Sequence, residues 1–547
     1  MESVLPVLVL LVAVAISGTV TRALPLPIPL PLVQIALGAT ISASFDFGII
    51  LQPEIFMLLF LPPLLFLDGW RIPKDGLFHD ARTILALAFG LVVFTVVGLG
   101  FFLTWLIPSM PLAVAFALAA VVSPTDPVAV SAIASRTPIP MRLMHILEGE
   151  SLLNDASGLV CMRFAVAAAA TGTFSLAGAF GSLVWMSVGG LAVGIVLTYA
   201  ITQAKRFTSL RYGEETGSQI LISLLTPFGA YLLAEHLGCS GILAAVGAGI
   251  SMSYVEQWGQ ALAITRVRRA SFWDTVQFAA NGMTFVILGE QLPRIVEGAA
   301  RVVRETGHHQ PAWLAIYILA MTLGLVLLRF VWTWTALRFT MFRAGRRGHS
   351  VTAPNWRLIV ATALAGVRGS ITLAGVMSLP LLLPDGSPFP ARDLAIFLAA
   401  GVIILSLVIA SIGLPTVLFG LHLPPEPTHR KEEDRARLAA AQAGMKAVET
   451  AQHRLSGRSA DEADVYADAA AHIMDVYRQR LQRGSSTGED AEAMRRIEAI
   501  ERDLRLAGIE AERDTFYHLS RTHRLPEDIM RKLVRELDLL ETRLRGG

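Results

Sequence analysis

The residues that could do chemistry are carboxylates set in apolar sequence. From Glu148 to Asp155 the chain reads Glu-Gly-Glu-Ser-Leu-Leu-Asn-Asp, and an almost unbroken apolar run follows to Ala170. Ionisable side chains are costly in hydrocarbon, and where they occur they mark ion paths, proton paths or binding sites. At helical spacing Ser151 and Asp155 share one face, while Glu150 and Asn154 form a second i, i+4 pair rotated by about 100°. The first face suits holding a cation; the second suits holding the helix in place.

A second acid lies upstream, in Ser123-Pro124-Thr125-Asp126-Pro127-Val128. Two prolines around a charge in an apolar run predict an interrupted helix, because proline removes a backbone donor and clashes with the preceding turn. Non-helical backbone in a membrane is tolerated where it is buried in protein or lines a wet cavity. An aspartate at such a break is how ion sites of secondary transporters are built. Gly366-Val-Arg-Gly369-Ser370 predicts a second break, around Arg368. That arginine keeps its charge, so a buried partner is expected, with Glu150 as the natural candidate. Leu61-Pro-Pro-Leu-Leu-Phe-Leu-Asp-Gly-Trp70 places Asp68 either at the membrane boundary beside Trp70 or in the ion cavity. Arg163 and Arg329, also within apolar runs, read as snorkelling side chains. His145 reads as interfacial, Glu235, His236 and Glu290 read as solvated caps, and Glu148 has no assigned role.

The elements that must position these groups are membrane helices. Hydrophobic residues make up 53% of the 547 and charged residues 16%, with a mean hydropathy of +0.55, which is too apolar for a water-soluble domain. The net charge of +2 gives no whole-chain argument for nucleic acid. About thirteen apolar segments are legible, the interrupted ones spanning 110–134 and 356–383. Breaks in segments five and twelve suggest two inverted six-helix repeats joined by segment seven. The first segment, with Glu2 in place of a basic leader region, reads as a retained helix.

Loop charge fits this count. One set of loops carries Arg22, Arg71, Lys74, Arg82, Arg136, Arg142, Lys205, Arg206, Arg211, Arg266, Arg268, Arg269, Arg343, Arg346, Arg347 and Arg357; the opposite set carries only Arg294, Arg301, Arg304 and Arg392. The asymmetry puts the N-terminus outside and the C-terminus in the cytoplasm. After Pro424-Pro425-Glu426-Pro427 the composition turns charged, with apolar residues at helical spacing. Residues 1–425 are therefore expected to form the membrane domain and 426–547 a cytosolic helical region, regulatory or dimer-stabilising, with a break at Gly484-Ser-Ser-Thr-Gly488. Cys161 and Cys239 show no ligand pattern, so neither a disulfide nor structural zinc is expected.

Together, in order and over the whole membrane part, Leu61-Pro-Pro-Leu-Leu-Phe66, Ser123 to Val130, Glu148 to Asp155 and Gly366 to Ser370 resemble the monovalent cation:proton antiporters, which include bacterial NhaP-type proteins and animal sodium/hydrogen exchangers. The resemblance implies an all-α polytopic protein with about 13 transmembrane helices, its two broken helices crossing at the ion site. It further implies a homodimer in the cytoplasmic membrane, surrounded by lipid, whose mobile six-helix core exchanges one sodium for one proton by an elevator movement. No cofactor and no nucleic acid are implied, and the transported ions are Na+ and H+. Sodium is expected at Asp155, helped by Asp126, Ser151 and the Thr125 backbone. Asp68 stands where the family often has Glu, one methylene longer. Asn154 stands where electrogenic relatives carry Asp, which implies electroneutral exchange. The Glu150 to Arg368 pair is then structural, and sodium and proton compete for the Asp155 carboxylate. An intramembrane aspartyl protease is disfavoured because its Gly-x-Gly-Asp and Tyr-Asp signatures are absent; a cation channel is disfavoured because single buried acids with a buried arginine suit an occluded carrier. Potassium or lithium in place of sodium stays open, as does a ligand or partner at the cytosolic tail.

Overall fold

The computed structural model describes all residues except 1–3, 25–27, 45–52, 73, 75–79, 127–129, 131–140, 172–175, 258–262, 306–311, 347–355, 384–385, 420–426, 457–462, 486–488, 523 and 546–547. It divides into two compact units, Met1–Leu421 and His422–Gly547. Among the described residues both are helical, apart from one isolated antiparallel bridge between Leu382 and Pro388.

The first unit contains α1 Val4–Ala23, α2 Leu30–Ser44, α3 Pro53–Arg71, α4 Ala81–Leu106, α5 Leu112–Val122, α6 Met141–Thr171 and α7 Leu176–Tyr212. It continues with α8 Thr216–His236, α9 Gly241–Gln257, α10 Ala263–Glu305, α11 Ala312–Arg346, α12 Trp356–Leu364, α13 Ser370–Met377 and α14 Arg392–Leu418. Each apolar segment read from the sequence overlaps at least one of these helices; segment twelve falls on the pair α12 and α13, and of segment five the first part falls on α5 while 127–129 and 131–134 lie outside the described residues. Seven of them (α1, α4, α6, α7, α8, α11 and α14) are long and apolar enough to cross a membrane. Segment ten differs most: expected over 272–291, it belongs to a helix that runs from Ala263 to Glu305. Arg269 is therefore not a loop charge. It is buried, paired with Glu256, and stacked over Trp70 at 5.4 Å from the ring centroid.

The helices pack as two bundles. One joins α1, α2 and α3 to α7, α8, α9 and α10; the other joins α4, α5 and α6 to α11, α12, α13 and α14. The bundles meet along α10 and α14, and where α6 and α13 approach α3, α9 and α10. Apolar side chains gain little by leaving lipid for protein, so close backbone approach between small residues holds membrane helices together. The first bundle shows this directly. A Cβ on Gly38 of α2 would lie 2.0 Å from the Val286 carbonyl oxygen, and one on Gly289 of α10 would lie 2.0 Å from that of Ile35. The α3 and α9 crossing repeats the device, with Gly69 against Val246 and Gly249 against Phe66. In the second bundle α5 is apolar all round and buried from Leu118 to Val122, as expected of a central helix.

Helix α4 carries a π turn from Ala86 to Leu91. There the Ser157 hydroxyl of α6 lies 2.6 Å from the Ala88 carbonyl oxygen, fastening α4 to the helix that bears Asp155. The second unit comprises α15 Pro427–Ser456, α16 Ala463–Ser485, α17 Glu489–Arg521 and α18 Glu527–Arg545. Its helices pack as two pairs, α15 with α16 and α17 with α18, and Arg513 of α17 pairs with Asp538 and Glu541 of α18. Of the expected break at 484–488, Gly484 and Ser485 belong to α16, and 486–488 lie outside the described residues.

Removing a buried hydrogen-bond donor leaves its acceptor unsatisfied at a cost of about 1–3 kcal/mol. Ser157→Ala is accordingly expected to lower the thermal unfolding midpoint in detergent. An unchanged midpoint would show that the π turn does not depend on this link.

Candidate ion-binding site

Both predicted breaks are present. Helix α5 ends at Val122, and residues 123–126 leave the helix; α12 ends at Leu364, and the chain resumes a helix only at Ser370. Pro124 lies in the first break, whereas Pro127 lies outside the described residues. The two breaks touch: the Asp126 backbone N–H donates to the Val367 carbonyl oxygen at 2.7 Å. The Asp126 carboxylate lies so close to Gly369 that a Cβ there would stand 1.7 Å from Oδ2. Only glycine admits that approach, which explains one of the two glycines around Arg368. A Cβ on the other, Gly366, would stand 2.8 Å from Cδ of Arg329.

Arg368 is buried but does not meet Glu150. Its Nε donates to the Val122 carbonyl oxygen at 2.9 Å, its Nη1 donates to the Gly366 carbonyl oxygen, and its backbone N–H donates to Ser406 Oγ at 3.2 Å. A helix broken inside a membrane leaves carbonyls without donors. Arg368 supplies donors to carbonyls at the ends of both first halves.

The partner of Glu150 is Arg329 of α11, at 2.5 Å from Nη1 to Oε1 and 2.7 Å from Nη2 to Oε2, with the side chains 2% and 1% exposed. Arg329 Nε also donates to the Thr362 carbonyl oxygen at 2.8 Å. This forked geometry matches a planar guanidinium to a carboxylate, and the remaining N–H finds a backbone acceptor. The expected Glu150 to Arg368 pair is thus corrected, and so is the reading of Arg329 as a snorkelling residue. The Thr125 hydroxyl donates to Glu150 Oε1 at 3.3 Å and accepts from Asn154 Nδ2 at 3.1 Å. Glu150 and Asn154 therefore hold the first break against α6, as their shared face suggested. The Thr125 side chain is committed to this network.

Asp155 and Ser151 point the other way. With Asp126 and Asp68 they line a cavity of about 30 Å³ between the two bundles, closed by Leu61, Leu64, Leu65, Gln277, Asn281 and Ile371. A space of this size holds a water or two, or a small cation that has shed most of its hydration. Asp68 reaches the cavity; its neighbour Trp70 instead donates to Glu256 Oε2 at 2.6 Å. No group of three or more His, Cys, Asp or Glu side chains among the described residues is close enough to hold a metal ion unaided. The site is three carboxylates from separate elements around one small void.

A family model described as sodium/hydrogen exchanger, transmembrane, matches residues 8–420. The chain belongs to the sodium/hydrogen exchanger family. An uncharacterized Na+/H+ exchanger of Escherichia coli K12 is 40% identical over 517 residues, covering 94% of this chain and 93% of the relative. A sodium, potassium, lithium and rubidium/H+ antiporter of Bacillus subtilis is 38% identical, covering 93% and 74% respectively; one of Bacillus pumilus is 44% identical over 70% of this chain and 56% of its own length. The solved antiporter MjNhaP1 of Methanocaldococcus jannaschii, at 19% identity, shares the fold, with a TM-score of 0.60 over 77% of this chain and 99% of that one. The protein is a transporter of the cation/proton antiporter class, not an enzyme.

In this exchanger several polar residues differ from their sequence reading. Glu290 is buried, not a solvated cap, and accepts a hydrogen bond from Gln291 Nε2 at 2.6 Å. Arg163 of α6 forms an ion pair with Glu235 of α8 at 3.3 Å, linking the two bundles, and Glu235 Oε1 also accepts the Gly241 backbone N–H. Cys161 and Cys239 are free thiols. Gln277 and Asn281 were missed altogether; their signal was two amides at i, i+4 on a helix otherwise read only for its apolar face.

Breaking a buried ion pair costs about 3–5 kcal/mol because one charge is left alone. Glu150→Gln and Arg329→Gln should each lower the detergent melting temperature strongly, and the double variant should lose less than the sum. The matching cycle between Glu150 and Arg368 should show much smaller coupling. Equal coupling in the two cycles would contradict the observed pairing.

Proposed function

We propose that the protein exchanges sodium for protons across the cytoplasmic membrane, serving sodium and pH homeostasis. The observation that carries this reading is the cavity between the bundles, where Asp155 and Ser151 meet Asp126 from the first break and Asp68 from α3. Sodium would be held by Asp155, Asp126, Ser151 and the Thr125 backbone. A proton and a sodium ion satisfy the same negative charge on Asp155, so each excludes the other. If only the neutralised site crosses, the empty carrier stays put and leak is prevented. No cofactor enters this cycle, since both ions are cargo.

The Bacillus relatives' names extend to potassium, lithium and rubidium, which favours potassium/proton exchange by the same mechanism as the second reading. Electroneutral exchange is supported by the charges carried by the second bundle around the site. Glu150 is offset by Arg329 and Asn154 is neutral, which leaves Asp155 as the α6 carboxylate to be neutralised by a single sodium or proton. Asp68 belongs to the other bundle. An elevator movement is supported by the division into bundles and by the backbone-close glycine crossings that make the first one rigid. It is also the division expected of inverted repeats. Segments one to three and eight to ten lie in the first bundle, and four to six and eleven to thirteen in the second. Assembly as a homodimer in lipid, with the N-terminus outside, follows from the resemblance and the loop charges. The helical pairs of residues 426–547 would serve a regulatory ligand or partner.

Asp155→Asn is expected to abolish sodium-driven proton flux in proteoliposomes while the melting temperature stays near that of the parent. Flux retained in that variant would remove Asp155 from its role. The bundle movement has its own test at the Arg163 and Glu235 link. With Cys161 and Cys239 replaced by Ala, Arg163→Cys and Glu235→Cys joined by a short reducible bis-thiol linker should stop exchange, and reduction should restore it. Full exchange after complete cross-linking would rule out sliding between α6 and α8.

A further inference from the structure

Arg71 closes α3 one turn beyond Asp68, and its guanidinium reaches across to α10. Nη1 donates to Gln277 Oε1 at 2.8 Å, and Nη2 pairs with Asp274 Oδ1, so one fork holds two residues a turn apart. Gln277 and Asp68 both line the cavity that contains Asp155, while Asp274 does not. The Arg71 and Asp274 side chains are 40% and 65% exposed, so their ion pair contributes little stability. What the fork does fix is geometry. It ties the two elements that form one wall of the cavity, and it occupies the carbonyl oxygen of the one amide on that wall that it can reach.

We propose that Arg71 is a positioning residue for cation selectivity: by holding the Gln277 carbonyl oxygen it withdraws an oxygen ligand from the cavity and keeps the α3 and α10 wall close. The argument rests on the cavity being the ion site. Selection among alkali cations depends on how many oxygens can surround the ion and how far the walls can yield. An oxygen already accepting from a guanidinium is a poor ligand for a second positive charge. With that oxygen held, the cavity offers few ligands in a small space and favours the smaller ion. With it released, a larger ion gains a ligand and room.

The test compares apparent affinities for sodium and potassium from proton flux in proteoliposomes of the full chain. Arg71→Ala should raise affinity for potassium relative to sodium by at least about threefold, a change on the scale of one modest hydrogen bond. Arg71→Ala combined with Gln277→Leu should return the ratio toward the parent value, because the released oxygen is gone. Asp274→Asn, which leaves the Gln277 contact in place, should keep the parent ratio. Should Arg71→Ala fail to fold, Arg71→Met replaces it, since it keeps the apolar stem but has no donor for Gln277, and the same direction of change is expected. The proposal is overturned by an unchanged ratio in the Arg71 variant, by an equal shift in Asp274→Asn, or by a shift that survives in the double variant. Failure of the site itself reads differently, as full flux in Asp155→Asn.

Discussion

The ion pair of Glu150 with Arg329 is the interaction on which the site depends. Both charges are shut away from water, so each needs the other, and the forked geometry leaves little freedom in how they meet. Glu150 sits one residue before Ser151 and five before Asp155, on a face of the same helix rotated by about 100°. Fixing it therefore fixes which way the cavity-lining face of α6 turns. Through Thr125 the pair also reaches the first break, and through the Thr362 carbonyl it reaches the helix that leads into the second. One salt bridge sets the relative position of three elements, each of which carries part of the cavity wall or of the breaks behind it.

The two bundles divide the work of that wall. Asp155, Ser151, Asp126 and Ile371 come from one, and Asp68, Gln277 and Asn281 come from the other. Within the first bundle, glycines bring helix backbones together so closely that no side chain fits between them. Between the bundles, the Arg163 and Glu235 contact is a partly exposed ion pair. Such contacts are weak and screened by salt.

Much of this was legible in the sequence because it follows from local rules. Prolines around Asp126 and glycines around Arg368 announce broken helices, and the i, i+4 spacing of Ser151 and Asp155 announces a shared face. Partner choice was not legible. Glu150 and Arg329 are separated by 179 residues, and an apolar run shows neither the register nor the rotation of a helix against a distant neighbour. Arg368 attracted the assignment because it stood in a visible break. The same break explains why it was wrong: freed carbonyls there are acceptors in need of donors, and they take the guanidinium first. Gln277 and Asn281 escaped because neutral amides cost little in a helix and leave no mark in a hydropathy reading.

With the cavity as the proposed ion site, the position of Arg368 bears on how an ion would leave. Each carbonyl end of a half-helix carries roughly half a negative charge, and two such ends lie behind the cavity. Left bare beside three carboxylates, they would deepen the electrostatic well for any cation that entered. A carrier turns over only as fast as it lets go. By placing its guanidinium on those carbonyls, Arg368 offsets that field, which under the proposed function would keep the well shallow and favour escape of the ion over its retention.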